Sequence, residues 1–365
     1  MTNRYARPGP RLRVGEASLG WAILGASARA QNFVIPAIRQ QPPAPGTDDI
    51  VSAWVVALYS HHEQHARTFG DANQIPQIYP NLSDLLQRHE IRCVYVCSHP
   101  RHHFPLVMAA LASGKHVLCE TPLALSLNDA ETMRQAAASR GLLLGVAYQH
   151  RADPAVQQVQ TLLAEGAIGD LLGGRISNVT LLHPNQQGWR LKAQGGGVLL
   201  HRTIHDIDLL RFLLHDEVAE IFAISTQQIL GDEPSGVCEE DVLAYVQMAD
   251  QKLTFQLHDS FFIPHQPTTV ELYGATGALQ IHHWFGEQEA SRLLLVRNGI
   301  AQAISLTPSS ADWWNIRHFN HAVWQDTPPL ATAEDGVRNL AAVLAARQSI
   351  QSQRPVKLQA DLPIY

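Results

Sequence analysis

The stretch Leu19-Gly20-Trp21-Ala22-Ile23-Leu24-Gly25-Ala26-Ser27-Ala28-Arg29-Ala30 decides the fold. It opens as a short apolar run, turns at Gly25, and is followed by a helix-like segment, Phe33-Val34-Ile35-Pro36-Ala37-Ile38. Strand, tight turn and helix in that order open a dinucleotide-binding fold, where the amides at a helix N-terminus meet a pyrophosphate. The usual fingerprint is G-x-G-x-x-G/A. Gly25 keeps the first position, Ser27 stands at the second and Ala30 at the third. Serine is small and can bond phosphate through its hydroxyl, but the turn alone is a weak signal.

The residues downstream strengthen it. Apolar runs predict strands over 51–58, 93–97, 115–119 and 142–146, and helices are expected over 61–69, 82–88, 105–113 and 129–139. Strands alternating with helices at this spacing imply an α/β fold, a doubly wound parallel sheet with its ligand at the strand C-termini. The second strand ends in Leu58-Tyr59-Ser60-His61-His62, without the acid that would bind the ribose diol of NAD. Ser60 with a nearby cation such as Arg67 suits a 2′-phosphate, which tilts the choice of NAD or NADP toward NADP. The same residues also read as an ordinary exposed loop.

The remaining chain must form something else. At 365 residues it exceeds the usual reach of one hydrophobic core, so two domains are expected. We divide it into a flexible basic lead-in over 1–18 with Arg4, Arg7, Arg11 and Arg13, a dinucleotide-binding domain over 19–147, and a substrate and oligomerisation domain over 148–365. A helix is expected over 155–165. Alternating stretches over 219–224, 242–248, 253–257, 268–273, 279–282 and 292–296 predict a large, mainly antiparallel open sheet. Helices over 313–323 and 334–351 close the chain, and the loop over 231–236 reads as its most mobile stretch.

Composition excludes several classes. A net charge of −6 gives no electrostatic reason to expect nucleic acid or an anionic membrane as a partner, and the apolar runs are too short to span a bilayer. Cys93, Cys97, Cys119 and Cys238 fit no disulfide framework, which suits a cytoplasmic protein. The 19 histidines include pairs at 61–62, 102–103 and 282–283 that lack the spacing of a structural zinc site.

Chemistry concentrates in Gly195-Gly196-Gly197-Val198-Leu199-Leu200-His201-Arg202-Thr203-Ile204-His205-Asp206-Ile207-Asp208. Three glycines allow a turn that side chains would forbid, and a helix is expected from Val198. His201, His205 and Asp208, at i, i+4 and i+7, would share one face. A buried histidine pair that helps two domains pack fits the spacing equally well.

Three segments together resemble the glucose–fructose oxidoreductase / inositol dehydrogenase / MocA-type family. They are Gly114-Lys115-His116-Val117-Leu118-Cys119-Glu120-Thr121-Pro122-Leu123-Ala124, then the triple glycine with His205-Asp206-Ile207-Asp208, and Leu272-Tyr273-Gly274-Ala275-Thr276-Gly277. Gln187-Gly188-Trp189-Arg190-Leu191 and His258-Asp259-Ser260-Phe261 add a likeness to one of its sugar reductases. The likeness runs from Gly20 to about Pro355. It implies a Rossmann domain followed by an α/β domain whose open sheet forms a homodimer or homotetramer interface. The implied activity is hydride transfer between a nicotinamide and a small sugar or cyclitol substrate.

The resemblance also assigns residues. Gly25, Ser27, Ala28, Arg29, Ser60, Ser98, His103, Glu120 and Pro122 would hold the cofactor, and no metal is implied. The family lysine that bonds the reacting oxygen falls at Thr121, and the family aspartate four residues before the histidine falls at His201. His205 matches the family acid/base histidine. His205, His201 and Thr121 are therefore the catalytic candidates, and Tyr148, Arg151, Trp189, Arg190 and Asp208 the substrate candidates.

Threonine offers a neutral hydroxyl where lysine offers charge and a proton, and losing a placed general acid typically costs about 10²–10⁴ in rate. Three readings stay open. One is an active NAD(P)-dependent oxidoreductase in which His201, protonated near neutral pH, takes part in a rewired proton relay. Another is a redox-silent protein that binds a dinucleotide or sugar as a sensor or partner. The third is a metal-assisted enzyme using His201 and His205 with Asp208 or Glu120.

Overall fold

A computed structural model describes residues 18–40, 51–192, 195–226, 238–285 and 290–358. The expected lead-in, save its last residue Ser18, and the expected loop over 231–236 lie outside the described residues.

The first sheet contains β1 (Ser18–Leu24), β2 (Ser52–Tyr59), β3 (Gln77–Tyr79), β4 (Ile91–Val96), β5 (His116–Cys119) and β6 (Leu144–Val146). Their order is β3-β2-β1-β4-β5-β6, and every pairing is parallel. The order reverses between β1 and β4, the switch point where such sheets bind ligands. These strands are buried on both faces by the helices between them: α1 (Ile35–Arg39), α2 (Glu63–Ala72), α3 (Leu82–Leu86), α4 (His103–Ala112) and α5 (Leu127–Arg140). Ser126 caps α5 through Asp129 N–H, and Gly141 ends it in the left-handed conformation.

The second sheet has nine strands: β7 (Leu171–Val179), β8 (Val218–Thr226), β9 (Asp241–Met248), β10 (Thr254–Ser260), β11 (Thr269–Gly274), β12 (Ala278–His282), β13 (Arg292–Arg297), β14 (Ile300–Ile304) and β15 (Val356–Lys357). They run in the order β14-β13-β12-β11-β7-β10-β9-β8-β15. Only β7 and β10 pair in parallel; the other pairings are antiparallel. After α6 (Pro154–Ala164) and the single turn α7 (Pro184–Gln187) comes a five-residue π-turn, Leu199–Thr203. It leads into α8 (Ile204–Leu214), and α9 (Ala311–Gln325) and α10 (Ala333–Ser352) close the chain. Residues alternate along β8 and β9, with Ile221, Ala223, Val242 and Val246 buried toward the helices and Phe222, Ile224, Leu243 and Tyr245 exposed.

Four strands lay outside the sequence-based expectation. β3 and β15 are too short for a periodic pattern, and exposed β14 carries little apolar signal. No strand is expected over β7, whose apolar pattern is broken by Gly173-Gly174, yet it sits in the middle of the sheet. A Cβ on Gly174 would stand 2.3 Å from the Glu271 carbonyl oxygen and 2.9 Å from the Phe255 ring, so only glycine lets the strands close up there.

Candidate active site

Gly25 makes the site possible. Its φ is +127°, and a Cβ there would lie 2.8 Å from Ser98 N and 2.9 Å from the Cys97 carbonyl. Its N–H donates to the Tyr59 carbonyl at 2.9 Å, so the ends of β1, β2 and β4 converge on one point. Above it opens a cavity of about 1570 Å³. One wall is Gly25, Ala26, Ser27, Ala28 and Arg29 with Ser60, Ser98, Glu120 and Thr121; the facing wall includes Trp189, Arg190, His201, Arg202, His205, Trp284 and Phe285. Pockets for small ligands usually measure about 300–1,000 Å³, so this one has room for a dinucleotide beside a second reactant. The wall fits that use. A glycine turn sits at the switch point, and Gln149 Oε1, His201 Nε2 and His205 Nδ1 are buried side-chain atoms without a hydrogen-bond partner.

Two chain segments meet at the reactive corner. Thr121, just after β5, places Oγ1 3.1 Å from His205 Nε2 on α8. Rings crowd His205, with Phe285 at 5.0 Å, Tyr148 at 5.6 Å and His150 at 5.7 Å between centroids. His201 lies under Trp189 at 5.0 Å, and Trp189 in turn meets His99 at 4.3 Å. Burial, then the Arg190 charge, pushes His201 down to about 3, and burial with the Arg29 and Arg202 charges does the same to His150. Burial, then His150 and Arg202, holds His205 well below the ordinary imidazole range. His201 is therefore a neutral imidazole at pH 7. The expected protonated donor is replaced by a ring with one N–H and one lone pair.

Other assigned residues have different partners. Arg29 lines the cavity, but its Nε lies 2.9 Å from Glu120 Oε1 and its guanidinium also grips Asp312 at the start of α9. Tyr95 donates to the same Glu120 oxygen at 2.7 Å. His103 and Pro122 are absent from the wall: His103 is buried, with ring nitrogens 2.8 Å from the Pro122 carbonyl and 3.1 Å from that of Ser98, so it ties two loops together. Tyr148, Arg151 and Asp208 lie behind the wall rather than on it. Arg151 spans both Asp208 oxygens at 2.6 and 2.9 Å and reaches Asp335 at 3.0 Å, while Asn339 donates to Asp208 at 2.7 Å. His205 and Asp208 lie in the same regular stretch of α8, and Asp208 turns from the cavity toward Arg151 and Asn339, while His201 and His205 both stay on the wall.

Arg67 is likewise elsewhere, paired with Glu63 at 2.7 Å on an exposed face of α2. Arg101 lines the same cavity as Ser60, beside the imidazoles of histidines 61, 62, 65 and 102. Arg101 and His102 were legible as a basic loop after a strand, Ser98-His99-Pro100-Arg101-His102, but sequence reasoning did not select them. His150 and Phe285 had no sequence signal. Glu120 and Asp208, the carboxylates that could join the histidines around a metal, are held by Arg29 and Arg151. Among the described residues no group of three His, Cys, Asp or Glu side chains could hold a metal ion.

Residues 19–148 match the model of an oxidoreductase family with an NAD-binding Rossmann fold, and residues 156–280 match the Gfo/Idh/MocA C-terminal domain. The chain belongs to the Gfo/Idh/MocA family. This family member is 32% identical over 345 residues to 1,5-anhydro-D-fructose reductase of Ensifer adhaerens, covering 94% of this chain and 99% of that one. An aldose-aldose oxidoreductase from Caulobacter crescentus shares its fold, with a TM-score of 0.83 at 21% identity over 93% of this chain and all of the other. A 3-ketoreductase from Actinomadura kijaniata, solved with NADP and TDP-benzene, superposes with a TM-score of 0.79 at 25% identity over 91% and 98% of the two chains. As a Gfo/Idh/MocA member the chain is an oxidoreductase whose cofactor is a nicotinamide dinucleotide, NAD or NADP. Among the described residues no helix is long and apolar enough to cross a membrane.

Proposed function

We propose that this protein oxidises or reduces a sugar-like carbonyl or alcohol carbon through a proton path built from Thr121 and His205, with His201 as a second hydrogen-bonding group. The observation that carries this is the Thr121–His205 contact at 3.1 Å on the cavity wall. Gly25, Ser27 and Ala28 would hold the dinucleotide, whose chemistry there would be to supply or accept a hydride. The chain's task is the proton. The Thr121 hydroxyl contacts both the reacting oxygen and His205 Nε2, so a proton passes between that oxygen and the imidazole through one oxygen atom. The unpartnered nitrogens of His201 and His205 are donors or acceptors for the substrate's other oxygens. Trp189 and Arg190 close the mouth from the second half of the chain.

NADP is the preferred cofactor in this reading. Ser60 lines the cavity together with the Arg101 guanidinium, and the end of β2 offers no carboxylate to a ribose diol. We assign 19–147 to the dinucleotide and 148–365 to substrate and assembly. The protein would work in a reducing cytoplasm, where its four buried, unpaired cysteines remain thiols.

Turnover of a ketose, anhydro-sugar and cyclitol panel with NADPH, NADH and their oxidised forms tests the reading. Activity on one class is expected, and the Thr121→Lys/His201→Asp double variant should broaden it toward ordinary sugar substrates. Tight dinucleotide binding without turnover of any of them would favour a redox-silent sensor.

A further inference from the structure

Directly behind the reactive corner lies a second acidic pair that the proton path does not use. Asp206, on α8 next to His205, and Asp259, on β10, are both fully buried. Each has one oxygen with a clear donor. Asn178 Nδ2 donates to Asp206 Oδ1 at 3.0 Å, and Thr203 Oγ1 donates to Asp259 Oδ2 at 2.6 Å. Asn178 and Asp259 are direct cross-strand partners on β7 and β10, so Asp206 sits over that pair. The other oxygens, Asp206 Oδ2 and Asp259 Oδ1, are buried and receive no hydrogen bond from any other group, while the two side chains are within hydrogen-bonding reach of each other. Two carboxylates in such contact, out of water, cannot both be ionised.

We propose that Asp206 and Asp259 share one proton in the folded protein, and that this O–H···O bond clamps the start of α8 to the second sheet and so positions His205 against Thr121. The proton stays on Asp206 Oδ2 and is donated to Asp259 Oδ1; no group is oxidised or reduced. Burial, then the Asp259 charge, pushes the Asp206 carboxyl well up, and burial raises Asp259 to about 6. The charged groups facing the pair are Arg202, whose Nη1 donates to Asn178 Oδ1 at 3.2 Å, and His258 on β10; Asn178 and Thr203 are neutral. His258 is bonded to Asp241 at 3.0 Å, which leaves Arg202 as the one guanidinium facing two buried carboxyls. Both aspartates are positioning residues here. Only the consequence for His205 rests on the function proposed above; the shared proton does not.

Infrared spectra of the intact protein in H₂O and D₂O at neutral pH test the proton itself. A protonated-carboxyl band should be present in the wild type and lost in both Asp206→Asn and Asp259→Asn, each of which retains a donor in the form of an amide. Absence of that band in the wild type, its survival in both variants, or a bound monovalent cation in its place would overturn the proposal. Stability gives a second reading. A raised folded-state pKa stabilises fully below the unfolded value and is lost as pH rises through the folded value. The stability advantage of wild type over Asp206→Asn should thus shrink as pH rises above about 4. Where the folded pair itself loses its proton, read as loss of the carboxyl band, the His205 ring resonances should shift in the wild type and show no such step in Asp206→Asn; loss of the band without movement of those resonances would overturn the positioning role. Wild-type protein with the band but without turnover would reject the redox reading and leave the shared proton standing.

Discussion

A hydroxyl and a neutral imidazole replace the charged lysine and carboxylate that resemblance leads one to expect at the reactive corner. Thr121 contributes no charge, and His205 is held below its usual range by burial and by the neighbouring His150 and Arg202. Removing the proton acceptor while keeping its shape, His205→Asn, should lower kcat by about 10²–10⁴ and leave dinucleotide affinity within a few-fold, as read by steady-state kinetics beside a fluorescence titration. The pH profile carries the sign of the same electrostatics. A depressed histidine pKa puts the acid limb of kcat/KM below pH about 6.5. His201→Asp sets a negative charge beside His205, favours its charged form and should move that limb upward. A limb that stays in place would mean that another group titrates.

At the scale of elements, what fixes α8 is a buried ionic network rather than the cavity. Arg151 joins Asp208 on α8 to Asp335 on α10, and Arg211 reaches Asp335 and Asn339 from the same side. Arg151→Met should destabilise the fold by about 3–5 kcal/mol, because it strands Asp208 as an uncompensated buried charge; denaturant unfolding measures it. A loss under 1 kcal/mol would show that Asp208 simply takes up a proton. This network also marks how far the sequence could be read. Tyr148, Arg151 and Asp208 are expected to face the substrate, Asp208 on the face of His201 and His205, but packing turns all three inward. Their direction is set by Asp335 and Asn339 on α10, more than 100 residues away in sequence, which local residue types do not reveal. Five strands of the six-stranded sheet were legible because buried parallel strands are continuous apolar runs. β7 was hidden because its two central glycines answer to the neighbouring strands, which local sequence does not reveal.

Across the whole molecule, the open face of the nine-stranded sheet carries Phe222 opposite Tyr245 and Ile224 opposite Leu243, all exposed. An apolar patch of this kind on a flat sheet suits a self-complementary contact between two copies. The Leu243→Lys/Tyr245→Lys variant should halve the particle mass in light scattering while leaving the far-ultraviolet spectrum unchanged; wild-type protein already at the mass of one chain would exclude this interface. Assembly through this face would leave the cavity side of the second half of the chain free. The sheet turns one face outward, and the helix carrying His201 and His205 packs on the other. The Gly25 turn and that helix line the same cavity, and Thr121 meets His205 across it. A crystal structure of the protein with NADPH measures this most directly. The nicotinamide ring is expected within contact of both Thr121 Oγ1 and the His205 imidazole, with the pyrophosphate at Ser27 and Ala28. A cleft filled by side chains, or a nicotinamide directed away from position 205, would contradict it.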